Sequence, residues 1–309
     1  MNKIMKTLAK ISYAAVFLCM FVPAEAAVYI PGDYYLTAVD QGKVEQRYRP
    51  YGMYETVRKT VSKKDPYYGG YDYCVWYPKK LEVSDKKWPM VVLLNGTTSS
   101  CDIDEPVYEH LASWGFIVVG NTDENTGLGY SAEWGLQIMD KLYEDQESVF
   151  YHKIDMENIG IGGHSQGGIG AINTLLLRDS GPRFKTIVTL SAVTRFLAEK
   201  LNIKSWEYDP SQVRIPWFMI AGDGPEDRKL ITPLRDMEDV YGKAQTSIIM
   251  ARRSGADHSE IQAEGDAYVT AWFRWQLAGD IYAKRAFTGG QAEILTNRGW
   301  NHVKRKGNF

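Results

Sequence analysis

The chain has 309 residues and a formal net charge of −2 at pH 7, since 36 lysines and arginines stand against 38 aspartates and glutamates. This balance lacks the cationic excess with which proteins contact nucleic-acid phosphates, so we expect no nucleic-acid partner. The one dense basic run, residues 304–306, is expected to be a solvated tail. A chain of this length can bury one large hydrophobic core without division into several domains.

Residues 1–26 predict a cleavable secretory signal. Three lysines precede an apolar core at residues 13–22, and residues 24–26 read Ala-Glu-Ala, a typical cleavage site. The apolar core is much shorter than the roughly 20 residues of a membrane-spanning helix, and no later apolar stretch is long enough. We therefore expect a secreted or periplasmic protein, without stable membrane insertion, in which residues 27–309 form a single domain.

Export would leave two cysteines, Cys74 and Cys101, in an oxidising compartment. A disulfide between them would stabilise the fold by roughly 3–4 kcal/mol according to the chain-entropy relation. Two unpaired, partly buried thiols are an equal alternative. Neither cysteine is predicted to be catalytic.

The rest of the chain alternates strand and helix patterns, as in a mostly parallel sheet connected by crossover helices. Strands are predicted at residues 55–62, 71–77, 89–94, 116–119, 159–162, 185–190, 217–221 and 246–250. Helices are predicted at residues 106–114, along the stripe of Trp134, Ile138 and Leu142 with Ser131 as N-cap, at residues 168–178, and at residues 266–277. This alternation predicts an α/β fold with helices on both faces of the sheet.

Residues 163–167 read Gly-His-Ser-Gln-Gly, a G-x-S-x-G motif between a strand pattern and a helix pattern. A sharp turn at this point exposes the serine hydroxyl at the sheet edge, and the two glycines let neighbouring backbone pass close by. An ordinary glycine-rich turn between a strand and a helix is the alternative. The context favours Ser165 as a nucleophile.

A serine hydroxyl becomes a good nucleophile when a base accepts its proton and an acid orients that base. In hydrolases with such a turn, the acid and then the histidine follow the serine along the chain. His258 lies on a loop just after the strand predicted at residues 246–250, and it is the predicted base. Asp227, after the strand at residues 217–221, is favoured as the acid, and Asp223 and Glu226 are the alternatives.

The other histidines and one further aspartate have simpler interpretations. His164 is adjacent to the serine and is interpreted as a packing residue, whereas Asp257 is interpreted as a surface or loop-capping charge. Structural or solvated positions are predicted for His110, His152 and His302.

Acyl transfer also requires donors for the oxyanion, usually two backbone N–H groups. One is expected to be the amide of Gln166, at the start of the helix that follows the serine. The other is expected on the loop after the strand at residues 89–94, where Gly96 permits a turn and Thr97 supplies the amide.

Together these motifs resemble the α/β-hydrolase superfamily, and within it the dienelactone-hydrolase-like and bacterial cutinase or polyester-hydrolase branch. The resemblance rests on the G-x-S-x-G turn, the Asn-Gly-Thr loop at residues 95–97, a G-x-x-D that ends at Asp227 and a G-x-x-H that ends at His258. It extends over most of residues 27–309. It implies an α/β-hydrolase fold, a Ser165-His258-Asp227 triad, and an oxyanion hole formed by the amides of Thr97 and Gln166.

The chain departs from parts of this branch. True dienelactone hydrolases use a cysteine nucleophile, where this chain has Ser165. Polyester-degrading members carry an aromatic residue at the position of Thr97. They also carry a tryptophan soon after the strand that follows the serine-bearing helix, where residues 191–195 here read Ser-Ala-Val-Thr-Arg.

The combined prediction is an exported serine hydrolase that cleaves carboxylic esters through an acyl-enzyme intermediate. Residues 191–216 are too few for a large cap domain, so we expect an open cleft for short-chain, aryl or polymer-attached esters. Thr98 and Trp206 are expected to contact the substrate; for Trp206, anchoring this segment to the core is the alternative.

No zinc-protease motif, paired C-x-x-C or dinucleotide-binding glycine pattern occurs in the sequence, so no metal and no organic cofactor is predicted. Two other classes of function stay open. One is another acyl-transfer hydrolase on the same triad, such as a peptidase, thioesterase or lipase. The other is a non-catalytic binding protein on the hydrolase scaffold.

Overall fold

A nine-stranded sheet runs through the computed structural model, which describes residues 30–38 and 40–309. The segment predicted to be a signal, residues 1–26, lies outside the described residues. In chain order the strands are β1 Thr56–Ser62, β2 Tyr73–Pro78, β3 Trp88–Leu94, β4 Ile117–Asn121, β5 Ile154–His164, β6 Phe184–Leu190, β7 Trp217–Gly222, β8 Ile248–Arg253 and β9 Trp300–Lys306.

The spatial order of the strands is β1-β2-β4-β3-β5-β6-β7-β8-β9. The six strands from β4 to β8 in this order are parallel to their neighbours. β2 runs antiparallel to both β1 and β4, and β9 runs antiparallel to β8. Because the parallel strands all end at the same edge, the loops after β3, β5, β7 and β8 come together there.

Helices connect the strands. They are α1 Tyr34–Thr37, α2 Lys43–Tyr48, α3 Glu105–Ser113, α4 Tyr130–Glu144, α5 Gln166–Leu177, α6 Arg195–Lys200, α7 Leu234–Lys243, α8 Ile261–Glu264, α9 Asp266–Ala278 and α10 Ile281–Lys284. None of the helices in the described residues is both long and apolar enough to cross a membrane.

The sheet has a hydrophobic core on each face, as expected for strands that are buried on both sides. Along β3, Val92 belongs to the core that contains side chains of α4 and α5, whereas Val91 belongs to the core that contains side chains of α3 and α9. The α/β-hydrolase fold, with a mostly parallel sheet and helices on both faces, is therefore confirmed.

Two local predictions were wrong. Residues 304–306 belong to β9 rather than to a solvated tail, and the side chain of Lys304 contacts Glu238 at 2.6 Å. The three basic residues are compatible with a strand, because β9 lies at the edge of the sheet and leaves their charged groups in water. Ser131 is not the N-cap of α4; Gly129 occupies that position with φ 75°, and Ser131 lies buried in the first turn.

The segment between β6 and β7 lies close to the sheet. It contains α6 and two short 3-10 turns, Lys204–Trp206 and Pro210–Gln212, which matches the expectation that this segment forms no large cap domain. Trp206 and Tyr208 are only 7% and 8% exposed and belong to the hydrophobic core. This segment is thus anchored by its aromatic side chains.

The turn from β5 into α5 depends on glycine, because three backbone segments meet there. A Cβ at Gly163 would lie 2.1 Å from the carbonyl oxygen of Gly167. A Cβ at Gly167 would lie 2.1 Å from the carbonyl oxygen of Leu94 at the end of β3. Both contacts are with backbone, which cannot move away as a flexible side chain could.

Gly163→Ala is expected to lower the free energy of unfolding by about 2–3 kcal/mol or more, because the methyl group overpacks against fixed backbone. Gly242→Ala is the matched control: that glycine lies in α7 with nothing within 4 Å, so alanine should raise stability by up to about 1 kcal/mol. Urea unfolding followed by circular dichroism measures both. Equal stability of Gly163→Ala and wild type would contradict the close approach.

Candidate active site

Ser165 occupies a strained position between β5 and α5. Its backbone has φ 55° and ψ −121°, a region that costs a non-glycine residue roughly 1–3 kcal/mol. The surrounding hydrogen bonds hold it there, since its amide donates to the carbonyl of Leu190 at 2.9 Å and its carbonyl accepts from the amide of Gly168 at 3.0 Å. The strain turns the side chain toward the carboxyl edge of the sheet.

A continuous chain of hydrogen bonds joins Ser165, His258 and Asp227. The Ser165 hydroxyl lies 3.0 Å from Nε2 of His258, and Nδ1 of the same ring lies 2.8 Å from Oδ1 of Asp227. His258 follows β8 and Asp227 follows β7, so residues 93 and 31 positions apart in the chain come together at one edge. With Nδ1–H donated to Asp227, the free lone pair of Nε2 can accept the serine proton.

The Asp227 carboxylate is fully buried and held by further donors. Its Oδ2 accepts a hydrogen bond from the amide of Gly222 at 2.7 Å and another from the hydroxyl of Ser191. Burial by itself would raise the pKa of this carboxyl. The hydrogen bonds from His258, Ser191 and Gly222, with the charge of the histidine, hold the pKa of Asp227 below its ordinary value.

The rings of His164 and His258 lie 4.7 Å apart between centroids, and their pKa values are shifted in opposite directions. Burial alone lowers the pKa of His258, but the hydrogen bond and charge of Asp227 outweigh it, and the pKa lies above the ordinary value. Burial and the charge of His258 lower the pKa of His164 to about 3. His164 is therefore neutral, and its Nε2–H donates to the backbone carbonyl of His258 at 2.8 Å, so it packs against the loop as predicted.

The geometry separates Asp227 from Asp223, one of its alternatives, and from Asp257, the neighbour of His258. Asp223 is partly exposed, and its carboxylate accepts a hydrogen bond from Asn301 at 3.0 Å rather than from His258. Asp257 accepts hydrogen bonds from the backbone amides of Glu226 and Asp227 at 3.0–3.1 Å, which confirms its loop-capping role. Of these acidic residues, Asp227 is the one that contacts the histidine ring.

The loop after β3 brings Thr97 beside the serine. A Cβ at Gly96 would lie 3.2 Å from Cβ of Ser165, so glycine permits this approach. The side-chain amide of Gln166 donates to the Thr97 hydroxyl at 3.1 Å. Among the backbone hydrogen bonds of turns, loops and helix caps in the described residues, neither amide of this pair is a donor, as an oxyanion donor requires.

The two residues predicted to contact substrate lie in different environments. Thr98 is exposed on the loop with φ 60°. Trp206 is buried behind Gly127, where an added Cβ would lie 2.6 Å from its indole nitrogen and 3.1 Å from the Gln166 side chain. Anchoring therefore accounts for the burial of Trp206, and contact of either residue with substrate stays a prediction.

The sequence interpretation missed one polar group of this arrangement, the hydroxyl of Ser191. This residue follows β6 directly and has φ 44°, a left-handed conformation that is uncommon outside glycine. Its position was the available signal, since a hydroxyl directly after a parallel strand lies at the same edge as the loops after β3, β5, β7 and β8.

Comparisons with known proteins agree with this architecture. A family model described as PETase, PET hydrolase-like, matches residues 45–225, which include Thr97, Ser165 and Gln166. Cutinase 2 from Thermobifida cellulosilytica is 28% identical over 220 residues, which span 70% of this chain and 74% of that protein. Cutinase cut1 from Thermobifida fusca is also 28% identical over 220 residues, but these span 61% of its length, less than two thirds.

A mostly parallel sheet with a serine, a histidine and an aspartate in hydrogen-bond contact at its carboxyl edge defines the α/β-hydrolase class. The chain belongs to the PET hydrolase-like family, and its resemblance to the cutinase and polyester-hydrolase branch is confirmed. It is a serine esterase, a hydrolase of carboxylic esters.

Asp227→Asn is expected to lower kcat/KM by a factor on the order of 10³–10⁴, because the amide no longer holds His258 in the tautomer that accepts a proton. Asp223→Asn, the matched control, should stay within about threefold of wild type, since Asp223 contacts Asn301 instead. Hydrolysis of p-nitrophenyl butyrate measures both variants, with circular dichroism as the check on folding. A larger loss in the Asp223 variant would reverse the assignment.

The acid limb of the pH–kcat/KM profile is expected above pH ~6.5, the ordinary histidine value. Only neutral His258 can accept the serine proton, so activity falls as the pH drops through its pKa, which Asp227 raises. The limb should move to lower pH in Asp227→Asn, where that stabilising charge is lost. A limb at the same pH in both proteins would assign the titration to another group.

Proposed function

We propose that the protein is an exported esterase that hydrolyses carboxylic esters through an acyl-enzyme intermediate on Ser165. The observation that carries the proposal is the hydrogen-bonded chain from the serine hydroxyl through His258 to Asp227, with contacts of 3.0 and 2.8 Å. Export rests on the signal-like pattern of residues 1–26, and residues 27–309 are proposed to form one domain.

In the first step, Oγ of Ser165 attacks the ester carbonyl while its proton passes to Nε2 of His258. A carbon–oxygen bond forms, and the carbonyl π electrons move to the oxygen. The backbone amides of Thr97 and Gln166 are proposed to donate to this oxyanion, each with an effect on the order of 10²–10³ in rate. The Asp227 carboxylate stabilises the imidazolium that forms.

In the second step, the tetrahedral intermediate collapses and expels the alcohol, which takes the proton from Nε2. The product is an acyl group on Ser165. Water then attacks this acyl group while Nε2 of His258 accepts one of its protons. The same proton returns to Oγ when the carboxylic acid leaves, so the enzyme is regenerated.

The proposed substrates are short-chain, aryl or polymer-attached esters. Trp206 and Tyr208 anchor the segment between β6 and β7 to the core, which supports an open cleft rather than a deep cover over a long acyl chain. Thr98 stands exposed beside the oxyanion loop, which suits a substrate approaching from open solvent. The cutinase relatives support polymer-attached esters. Thr97, however, lacks the aromatic ring that polyester-degrading members carry at that position.

A panel of p-nitrophenyl acetate, butyrate and octanoate with a hydroxycinnamate ester tests both the chemistry and the pocket. Turnover is expected to fall from butyrate to octanoate, and Ser165→Ala should lower kcat by a factor on the order of 10⁴–10⁶. Ser254→Ala, an exposed hydroxyl on the loop of His258, is the matched control and should leave turnover unchanged.

A fluorophosphonate probe provides an independent readout, since it labels an activated serine whatever the preferred substrate. Labelling of wild type but not of Ser165→Ala is the expected result. A folded protein with neither ester turnover nor labelling would contradict the proposal and favour a binding protein on the hydrolase scaffold. Labelling with preferred turnover of peptide or thioester substrates would favour another acyl-transfer hydrolase.

A further inference from the structure

Two cysteine side chains meet beside the loop that carries Thr97. Cys74 lies on β2, and Cys101 lies on the connection between β3 and α3. Their sulfur atoms and a carboxylate oxygen of Asp102 all lie within 4.8 Å of one another. The two cysteines are 2% and 0% exposed, and the part of the chain that the structure describes contains no other cysteine.

The backbone brings this pair together through Gly120. Cys74 pairs with Gly120 across the β2–β4 ladder, and the amide of Cys101 donates to the carbonyl of Asn121 at 3.0 Å. A Cβ at Gly120 would lie 2.7 Å from Cβ of Cys101. A larger residue at position 120 would therefore clash with Cys101, and with the ring of Tyr108 at 2.5 Å.

The environment of the two thiols differs in charge. Nη2 of Arg58 donates to Sγ of Cys74 at 3.4 Å, and the Thr60 hydroxyl lies 3.7 Å from the same sulfur. The hydrogen bond with Cys101 is the largest cause that lowers the pKa of Cys74 to about 6; Thr60 and Arg58 add to it, and burial opposes it. The same pairing and burial raise the pKa of Cys101. A thiolate beside a thiol is the arrangement that thiol–disulfide exchange requires.

We propose that Cys74 and Cys101 form a disulfide under oxidising conditions and that this bond fixes the Thr97 loop to β2. The oxidant is a disulfide, such as oxidised glutathione or the active-site disulfide of a thiol oxidase. The Cys74 thiolate attacks one oxidant sulfur and expels a thiolate. Cys101 gives its proton to the expelled thiolate and attacks Sγ of Cys74 in the mixed disulfide, which expels the second thiolate; water protonates that thiolate. One disulfide bond forms, and the oxidant is reduced to two thiols.

The sulfur atoms of Cys74 and Cys101 and the carboxylate oxygen of Asp102 also resemble the ligands of a soft metal ion. The guanidinium of Arg58, however, contacts both Cys74 and the carboxylate of Asp102. Its fixed positive charge opposes a cation between these groups, whereas it stabilises the thiolate that disulfide exchange uses. The charge pattern therefore favours the disulfide over metal binding.

The bond would restrain the loop close to the proposed oxyanion hole, because Thr97 precedes Cys101 by four residues. The loop is also held by Asn95, whose side-chain amide donates to the carbonyl of Ser99 at 2.7 Å. An effect of the bond on turnover rests on the proposed function, whereas the bond itself and its effect on stability do not.

Peptide mapping of residues 27–309 tests the bond directly. The protein is incubated with oxidised glutathione, alkylated with iodoacetamide in guanidinium chloride, digested without reductant and analysed by mass spectrometry. We expect one linked peptide pair that contains unalkylated Cys74 and Cys101. Alkylation of both cysteines, or glutathione adducts without the linked pair, would overturn the proposal. So would zinc retained by the untreated protein at one equivalent and lost in Cys101→Ser.

Thermal unfolding tests the consequence for stability. Wild type that is reduced in denaturant and refolded with reductant should unfold about 5–10 °C below the oxidised protein, because the unfolded chain regains its freedom. The Cys74→Ala, Cys101→Ala double variant is the matched control and should unfold at one temperature with or without reductant. If that variant does not fold, the two redox forms of wild type still provide the comparison. Equal midpoints of those forms would contradict a bond that restrains the loop.

Ester turnover, measured on the same redox pair, separates this inference from the proposed function. We expect the reduced form to lose about two- to tenfold in kcat at 40 °C, with little change in KM. A linked peptide pair and a shifted midpoint without any Ser165-dependent turnover would leave the disulfide standing and contradict the proposed function. Ser165-dependent turnover without the linked peptide pair would support the proposed function and contradict the disulfide.

Discussion

The close crossing of β3, β5 and the start of α5 is the constraint on which the rest of the site depends. Gly163 and Gly167 allow three stretches of backbone to pass at distances that a side chain would prevent. This crossing holds Ser165 in its left-handed conformation, and the packed sheet on either side supports the local strain. The adjacent end of β3 leads directly into the loop of Thr97, so nucleophile and proposed oxyanion donors share one rigid support.

A buried charge balance organises the other half of the site. The Asp227 carboxylate is removed from water, which is costly, and three hydrogen-bond donors compensate for the loss. The same carboxylate raises the pKa of His258 and fixes the ring nitrogen that faces the serine. His164, packed against that ring, stays neutral and so adds no competing positive charge. Burial thus acts on all three groups. Hydrogen bonds and charge outweigh it at Asp227 and His258, whereas at His164 burial and the charge of His258 keep the ring neutral.

Sequence similarity and geometry support the assignment of different residues of the site. The family match covers residues 45–225, which hold the serine and both proposed oxyanion donors but neither Asp227 nor His258. For the acid and the base, the evidence is their contact in space and their placement after β7 and β8. The two kinds of evidence meet at Ser165, which takes part in both.

The sequence by itself determined the α/β class and the serine turn, because both depend on local patterns: apolar runs for strands and glycines beside Ser165 for the close crossing. It could only narrow the acid to three carboxylates, since the choice of Asp227 depends on which side chain reaches His258 across 31 residues. It missed β9, whose basic end at residues 304–306 resembles a solvated tail until β8 provides a partner. The proximity of Cys74 and Cys101 was likewise decided by tertiary structure, because strand pairing and loop packing, rather than spacing along the chain, bring two sulfur atoms together.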